Sequence, residues 1–169
     1  MVAIRSPEVE RVFEILHEVK DPEVPVIDVV ELGIVRSAQV EGNRVTVLVT
    51  PTYSGCPATK VIERDIAEAL KRHGFEDVTV RTVFTPPWTT DWITADAREK
   101  LRAYGIAPPG PVGPGGLELV PLGGPTRSIA CPYCGSKDTR RESEFGSTAC
   151  KAIHVCHACH QPFEYFKPI

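Results

Sequence analysis

Apolar residues recur at helical spacing in two segments of the chain, one near the N-terminus and one in the middle. Between residues 7 and 20, and again between 57 and 73, hydrophobic side chains return every three or four positions. Ser6-Pro7 is typical of a helix start, and Gly74 is typical of a residue just beyond a helix end. The pattern predicts two amphipathic helices, with apolar stripes of Val9, Val12, Phe13, Leu16 and Val19 in the first and Ala58, Val61, Ile62, Ile66, Ala69 and Leu70 in the second.

Three other segments, 34–40, 44–50 and 77–83, are rich in β-branched residues and alternate in polarity. The loop Glu41-Gly42-Asn43 between the first two predicts a β-hairpin. A right-handed crossover through the second helix would place the second and third strands parallel. A further short helix is expected to begin at Thr94 or Asp96. We therefore predict an α+β domain, ordered helix-strand-strand-helix-strand-helix, with a small three-stranded mixed sheet.

The composition changes abruptly after this domain. Of the twenty-one residues from 105 to 125, thirteen are glycine or proline, which is typical of a linker. Five of the six cysteines lie beyond it. The chain is therefore expected to comprise an α/β domain over 1–104, a linker over 105–125 and a cysteine-rich module over 126–169.

Charge and hydropathy exclude some classes of protein. The formal net charge of −3 argues against a general nucleic-acid binder, which usually presents a basic face. No run of apolar residues approaches the roughly 18–20 needed for a membrane span, and the first residues lack the apolar core of a signal peptide. We expect a cytoplasmic protein. In that reducing compartment, cysteines are better interpreted as metal ligands or reactive thiols than as disulfides.

The C-terminal cysteines form two pairs with metal-ligand spacing. Cys131-Pro-Tyr-Cys134 and Cys156-His-Ala-Cys159 are separated by twenty-one residues, slightly more than the usual span of about 15–20. A module of this size buries too little surface to fold alone, so metal binding would supply its folding free energy. We predict a structural tetrathiolate site in a zinc-ribbon-like β module, with zinc preferred over iron. Four neighbours could instead replace a cysteine ligand, although a non-ligand role is the simpler interpretation: Cys150, His154, His157 and His160.

The remaining cysteine, Cys56, lies between the second strand and the second helix. With Pro57 in the first helical turn, Cys56 is a candidate N-cap, and the helix dipole can lower the pKa of a thiol placed there. Such a thiolate can ligate a metal or attack an electrophile. The alternative is a small buried hydrophobe. Two carboxylates, Asp21 and Glu23, lie on a proline-stiffened loop, for which a solvated turn that Asp21 caps is the simpler interpretation.

Five motifs in order resemble the SufT-like iron–sulfur maturation family over about residues 7–104. They are Asp21-Pro-Glu-Val-Pro, Leu32-Gly33-Ile34-Val35, Thr50-x-Thr52-x-x-x-Cys56-Pro57, Pro86-Pro87-Trp88 and Ala97-Arg98-x-Lys-Leu101. The linker and the cysteine-rich tail resemble one branch of that family, which accompanies the multicomponent phenylacetyl-CoA epoxidase of aerobic phenylacetate degradation. The resemblance implies an accessory protein that helps to load the metal centres of the oxygenase or of its reductase.

The resemblance also implies functional residues in this chain. The family's cysteine falls on Cys56, its acidic loop residues on Asp21 and Glu23, and its threonines on Thr50 and Thr52. In this first hypothesis Cys56 binds iron or a cluster transiently, an acid offers an oxygen ligand or accepts a proton, and the threonines hydrogen-bond the thiolate or its ligand. A cluster normally requires about four thiolates, so a homodimer or a client protein would supply the others.

Two other hypotheses remain open at this stage. In the second, Cys56 is the nucleophile of a thiol-dependent enzyme, although His17 and His73 lie on predicted helices with no evident reason to approach it. In the third, the protein has no chemistry and docks on the oxygenase, with Trp88 and Trp92 as exposed anchors, unless Trp88 closes the core. We expect no independent turnover. The expected partners are oxygenase or reductase subunits and iron–sulfur assembly factors, with no nucleic acid and no membrane.

Overall fold

The computed structural model describes residues 6–53, 55–112 and 128–169. Its contacts divide the chain into two compact units, residues 1–88 and 89–169. The regular elements are α1 (Pro7–Leu16), β1 (Val35–Glu41), β2 (Arg44–Val49), α2 (Ala58–Arg72), β3 (Asp77–Thr82), a 3₁₀ turn (Thr90–Trp92), α3 (Ala95–Ala103), β4 (Ile106–Ala107), β5 (Thr139–Ser143), β6 (Lys151–Cys156) and β7 (Pro162–Phe166).

Helix α1 begins where the sequence predicts and ends earlier. The Ser6 hydroxyl accepts a hydrogen bond from the Val9 amide, and Pro7 occupies the first turn. The helix stops at Leu16 rather than near residue 20, because the backbone that follows pairs elsewhere. The carbonyl of Val19 accepts from the Val29 amide at 3.0 Å, and Lys20 forms a β-bridge with Asp28.

The sheet of the first unit has the predicted mixed topology. Its order is β1-β2-β3, with β1 antiparallel to β2 and β2 parallel to β3. Val49 at the end of β2 pairs with Val35 at the start of β1 and with Thr82 at the end of β3. The segments that precede β1, follow β2 and follow β3 therefore all lie at one edge of the sheet.

Helices and sheet enclose the apolar core of this unit. Helix α1 packs against β1 and α2, and α2 packs against β3. Burying these side chains removes apolar surface from water, which is the main favourable term in folding. The fully buried members include Val12, Leu16, Val45, Val47, Ile66 and Leu70, so the predicted helical stripes do face the core.

A capping box shapes the segment before β1. The Asp28 Oδ1 atom accepts from the amides of Val30 and Glu31, at 3.0 and 2.8 Å, and Glu31 Oε2 accepts from the Asp28 amide at 3.2 Å. The Nδ1 atom of His17 lies 3.0 Å from Asp28 Oδ2, and Lys20 Nζ lies 3.6 Å from it. Burial raises the pKa of Asp28, but the Glu31 amide and His17 outweigh it, so this pKa lies below its usual value.

The second unit contains more than the predicted cysteine-rich module. Its sheet has the order β4-β7-β6-β5, with β4 parallel to β7 and the other pairs antiparallel. Buried Lys151 is paired with Glu164 at 2.8 Å. Strand β4 lies inside the segment predicted as a linker, and helix α3, predicted to belong to the first domain, lies in this unit. Residues 113–127 of that linker are outside the described residues, and the boundaries 1–104, 105–125 and 126–169 stay predictions.

A membrane span was not expected from the hydropathy of the sequence. Among the residues that the structure describes, no helix combines the length and the apolar character needed to cross a bilayer.

The pairing of Asp28 yields a pH-dependent prediction. Because its pKa is lowered in the folded state, its contribution to stability is present above the unfolded pKa of about 3.9 and is lost as pH falls through the folded value. We expect Asp28→Asn to lower the free energy of unfolding by about 1–3 kcal/mol at pH 7 and to flatten the loss of stability below pH 5. Urea unfolding at several pH values measures both effects.

A surface carboxylate provides the control for this experiment. Asp77 forms an exposed pair with Arg44, so Asp77→Asn should cost at most about 1 kcal/mol. Equal losses in the two variants would contradict a special role for Asp28.

Candidate functional site

Cys56 lies on the turn that connects β2 to α2, as predicted, and its side chain is half-buried. The N-cap prediction is wrong by one residue: the N-cap of α2 is Pro57, with φ −68° and ψ −24°, and no side chain caps it. The Cys56 amide donates instead to the carbonyl of Tyr53 at 3.2 Å. This bond closes a turn before the helix, so the thiol stands just outside the helix end.

Thr50 follows the last residue of β2 and is 1% exposed. Its amide donates to the Ile34 carbonyl at 2.9 Å. Its hydroxyl oxygen is buried and has no hydrogen-bond partner among the described residues. A buried hydroxyl without a partner costs roughly 1–3 kcal/mol, so a polar group that reaches it on binding would relieve that cost. Thr52, two residues further, is also buried.

Asp21 is buried and shapes the acidic loop. Its Oδ1 atom accepts hydrogen bonds from the amides of Glu23 and Val24, both at 2.8 Å, and its own amide donates to Ile27. The structure therefore gives Asp21 the capping role that the sequence offered as the simpler alternative. Glu23 is half-buried on the same loop.

The third segment at this edge of the sheet contains Trp88. Its indole N–H donates to the carbonyl of Leu32 at 3.0 Å, and the side chain is buried. This bond ties the segment after β3 to the turn before β1. Trp88 therefore closes the core of the first unit and is not the exposed anchor considered in the third hypothesis. Phe84, earlier in the same segment, is exposed.

The topology thus brings the predicted loops to one edge of the first sheet. The Asp21 loop is connected to Thr50 through a chain of backbone bonds, from Val19 to Val29, from Val29 to Ile34 and from Ile34 to Thr50. Sequence reasoning missed the contribution of Asp28 and Glu31 to this framework. The spacing Asp-x-x-Glu before an apolar run is the signal that would have indicated their capping box.

The two histidines of this unit are engaged elsewhere. His17 Nδ1 contacts Asp28, and His73 Nε2 lies 2.9 Å from Glu18 Oε1. A thiol enzyme needs a base within hydrogen-bond reach of the nucleophile. These contacts weaken the hypothesis of a Cys56 nucleophile activated by either histidine.

The four cysteines predicted as metal ligands form one cluster that could hold a metal ion. The sulfur atoms of Cys131, Cys134, Cys156 and Cys159 all lie within 4.8 Å of one another. Cys131 and Cys159 are separated by 3.7 Å, and Cys134 and Cys156 by 3.6 Å. A tetrahedral site with Zn–S bonds of about 2.3 Å requires sulfur–sulfur distances of about 3.8 Å. The donor set therefore fits a zinc ion held by these four thiolates.

Two equivalent turns present the ligands. In the first, the Cys131 amide donates to Ser136 and the Gly135 amide donates back to Cys131, both at 2.9 Å. In the second, the Cys156 amide donates to Gln161 at 3.1 Å and the His160 amide donates to Cys156 at 2.9 Å. Gly135 and His160 occupy the same position and both have positive φ, 75° and 60°.

Hydrogen bonds from backbone amides act to lower the pKa values of two of the cysteine thiols. The amide of Cys159, with that of Ala158, lowers the pKa of Cys156 to about 7. The amide of Gln161 acts in the same direction on Cys159, but burial and the neighbouring thiols raise its pKa to about 12. Four crowded thiols cannot all ionise by themselves, so a cation that neutralises them is the natural partner of this site.

The other candidate ligands lie outside this cluster. The buried sulfur of Cys150 is 3.1 Å from the Thr148 hydroxyl. His154 is buried against Phe163 and Tyr165, and His157 contacts Asp138. These contacts favour non-ligand roles for Cys150, His154 and His157. His160 has a positive φ because its backbone closes the second cysteine turn.

Comparisons with known proteins agree with this two-part architecture. The family model described as iron–sulfur cluster assembly protein matches residues 9–83, and the one described as PaaD zinc beta ribbon domain matches residues 119–167. The crystal structure of a domain of unknown function, DUF59, from Bacillus anthracis superimposes on this chain with a TM-score of 0.52 at 27% sequence identity. The match covers 55% of this chain and 90% of the Bacillus anthracis chain. The class is an iron–sulfur-assembly-type α/β domain joined to a zinc ribbon.

Two relatives refine that class. A protein of Escherichia coli (strain K12), provisionally named as the D component of 1,2-phenylacetyl-CoA epoxidase, is 44% identical over all of this chain and 98% of its own length. The Bacillus subtilis (strain 168) Fe-S protein maturation auxiliary factor YitW is 33% identical over 54% of this chain and 91% of its own. The chain belongs to the same family as this Escherichia coli protein, the PaaD family.

Removing one ligand should abolish metal binding selectively. We expect Cys156→Ser to lose its zinc, because three thiolates and a hydroxyl hold the ion much less well. The matched control is Cys150→Ser, which changes a buried cysteine outside the cluster and should retain zinc. Elemental analysis and the charge-transfer bands of the cobalt-substituted protein measure occupancy. Zinc loss in both variants, or in neither, would contradict the assigned ligand set.

His160 can be tested separately. A non-glycine residue at φ 60° is strained, so we expect His160→Gly to retain zinc and to raise the stability of the module by up to about 1 kcal/mol. Thermal unfolding and zinc content are the measurements. A loss of zinc in this variant would make His160 a ligand.

Proposed function

We propose that the protein is an accessory maturation factor of a phenylacetyl-CoA epoxidase system, where it helps to assemble iron or iron–sulfur centres through Cys56. The observation that carries the proposal is the full-length match to the Escherichia coli epoxidase component, combined with an N-terminal domain of the iron–sulfur assembly type. The relatives named Fe-S protein maturation auxiliary factors support the same class of role.

The chemistry of the Cys56 turn suits temporary holding of a metal. A half-buried thiol on a turn is a soft ligand that is accessible from solvent, so it can bind iron and release it again. Thr50 carries a buried hydroxyl without a partner among the described residues, and we propose that it hydrogen-bonds the loaded thiolate or its ligand, together with Thr52. Glu23, or Asp21 beyond its capping bonds, would offer an oxygen ligand or accept a proton.

One cysteine is too few for a resident cluster. Clusters are normally held by about four thiolates, and Cys56 is the sole cysteine before Cys131. The iron or cluster is therefore cargo, and a second copy of this chain or the client would provide the other ligands. The zinc ribbon would serve recognition, and the clients would be the oxygenase or reductase subunits in the cytoplasm. We propose no independent turnover.

Replacing Cys56 tests this function directly. We expect Cys56→Ser to reduce iron or cluster uptake in anaerobic reconstitution by about tenfold or more, because losing a ligand should cost at least as much as losing an outer-shell contact. In cells that lack the native protein, the variant should also fail to restore epoxidase activity. Absorption and Mössbauer spectra, with metal analysis of the purified epoxidase subunits, are the readouts.

Cys150→Ser is again the matched control, since it removes a thiol and leaves Cys56 and the zinc ligands in place. It should load iron and restore the epoxidase like the wild type. If Cys56→Ser does so equally well, the proposal fails.

Docking without chemistry is the second candidate function. It is favoured by three exposed aromatic residues described in the second unit, Tyr104, Tyr133 and Phe145, since aromatic side chains dominate binding hot spots. In that case Tyr133→Ala would weaken capture of the epoxidase subunits, and Cys56→Ser would leave maturation intact.

A further inference from the structure

We infer that the segment from Phe84 to Pro87 is the surface on which the iron-receiving subunit of the epoxidase docks. This docking role rests on the proposed function, because it names the partner of the same Cys56 site. All four residues of the segment are exposed to solvent. Among the described residues of the first unit, Phe84 is the one large hydrophobic residue that is exposed. The segment overlaps the Pro86-Pro87-Trp88 motif, to which the proposed function gives no role.

Hydrogen bonds hold both ends of the segment. Before it, the Val83 amide donates to the Val49 carbonyl at 2.8 Å, which continues the pairing of β3 with β2 by one residue. After it, the buried indole of Trp88 donates to the Leu32 carbonyl at 3.0 Å. Two consecutive prolines restrict the backbone between these points. An apolar surface that is already ordered loses little conformational entropy when a partner binds.

The geometry of the β2–α2–β3 unit places Phe84 beside the Cys56 turn. The Thr82 hydroxyl donates to Glu63, so this contact joins the end of β3 to α2. From Thr82, the two residues to Phe84 advance about 6.6 Å in the strand direction. Because β2 and β3 are parallel, α2 runs in the opposite direction, and the five residues from Glu63 back to Ala58 cover about 7.5 Å. Phe84 and the start of α2 therefore lie at the same level of the unit.

Transfer of iron from Cys56 requires direct contact with the recipient. A donor atom of the recipient forms a bond to the iron as the bond to the Cys56 sulfur breaks, with no change in oxidation state. Where that donor is a thiol, its proton passes to the Cys56 sulfur. A stable interface buries about 800 Å² on each partner, a patch that extends roughly 16 Å from its centre. A stable partner that takes iron from Cys56 therefore also covers Phe84.

The composition of the segment indicates what the recipient must present. Phe84, Pro86 and Pro87 have only apolar side-chain atoms, and Thr85 between them is uncharged. Aromatic anchors of this kind fill well-packed pockets near the centre of protein interfaces. The recipient should therefore have an apolar pocket beside the open ligand positions of its metal centre, rather than an acidic or basic groove.

A matched pair of exposed phenylalanines tests this docking role. Phe84 in the first unit and Phe145 in the second are 59% and 63% exposed, so alanine at either position should change folding little. The full-length variants are loaded with iron anaerobically and mixed with the apo form of the oxygenase or the reductase subunit. We expect Phe84→Ala to load iron like the wild type, but to bind one apo subunit about tenfold or more weakly and to transfer iron correspondingly more slowly. Phe145→Ala should match the wild type throughout.

Several results would overturn the docking role. They are wild-type affinity and transfer in Phe84→Ala, an equal loss in Phe145→Ala, and failure of both apo subunits to bind the wild-type protein. Conversion of a wild-type dimer into a monomer by Phe84→Ala, measured by sedimentation, would assign the segment to a second copy of this chain instead.

A second pair of variants covers the case in which Phe84→Ala folds poorly. Phe84→Tyr and Phe84→Lys both keep a long side chain at this exposed position, but only tyrosine keeps an aromatic anchor. We expect Phe84→Tyr to bind the apo subunit nearly as well as the wild type and Phe84→Lys to bind it at least tenfold more weakly. Equal binding by the two variants would contradict the docking role.

The docking role and the proposed function fail at different steps. If Cys56→Ser loads iron as well as the wild type, the proposed function is wrong. If loading depends on Cys56 but Phe84→Ala binds the apo subunit and transfers iron normally, the proposed function stands and only the docking surface is wrong.

Discussion

The pairing of β2 with strands on both sides is the constraint on which the candidate site depends. Because β1 runs antiparallel to β2 and β3 runs parallel to it, the start of one neighbour and the end of the other meet the end of β2. Three irregular segments, distant in sequence, are thereby brought to one edge. A backbone bond from Thr50 to Ile34 and the bond from the Trp88 indole to Leu32 join these segments, and the half-buried thiol of Cys56 lies on the turn that follows β2.

The second unit has a small apolar core, so its stability must come largely from another source. Its sheet is small, and the buried cluster around the metal site consists of few residues, two of which are the metal-ligating Cys131 and Cys156. The conformational entropy lost on ordering such a segment exceeds what its apolar area returns. A metal ion held by four sulfurs at tetrahedral spacing would supply the missing free energy.

Much of this structure is predictable from particular residues. The three- and four-residue spacing of apolar side chains indicates both helices of the first unit, the loop at Gly42 indicates the hairpin, and the two Cys-x-x-Cys motifs indicate the ligand set. Other features are not predictable, because they depend on partners remote in sequence. The early end of α1 follows from backbone pairing of residues 19–20 with 28–29, and the burial of Trp88 follows from its bond to Leu32.

Local spacing and residue chemistry are enough to encode the α+β order, the metal ligands and the identity of the thiol at the β2–α2 turn. Where the chain divides, and what surrounds that thiol, are properties of the folded chain. Folding assigns helix α3 to the second unit, gives Asp21 a capping role and leaves the Thr50 hydroxyl buried without a partner among the described residues. Those outcomes depend on which surfaces and hydrogen-bonding groups come into contact after folding. The periodicity of the sequence does not specify these contacts.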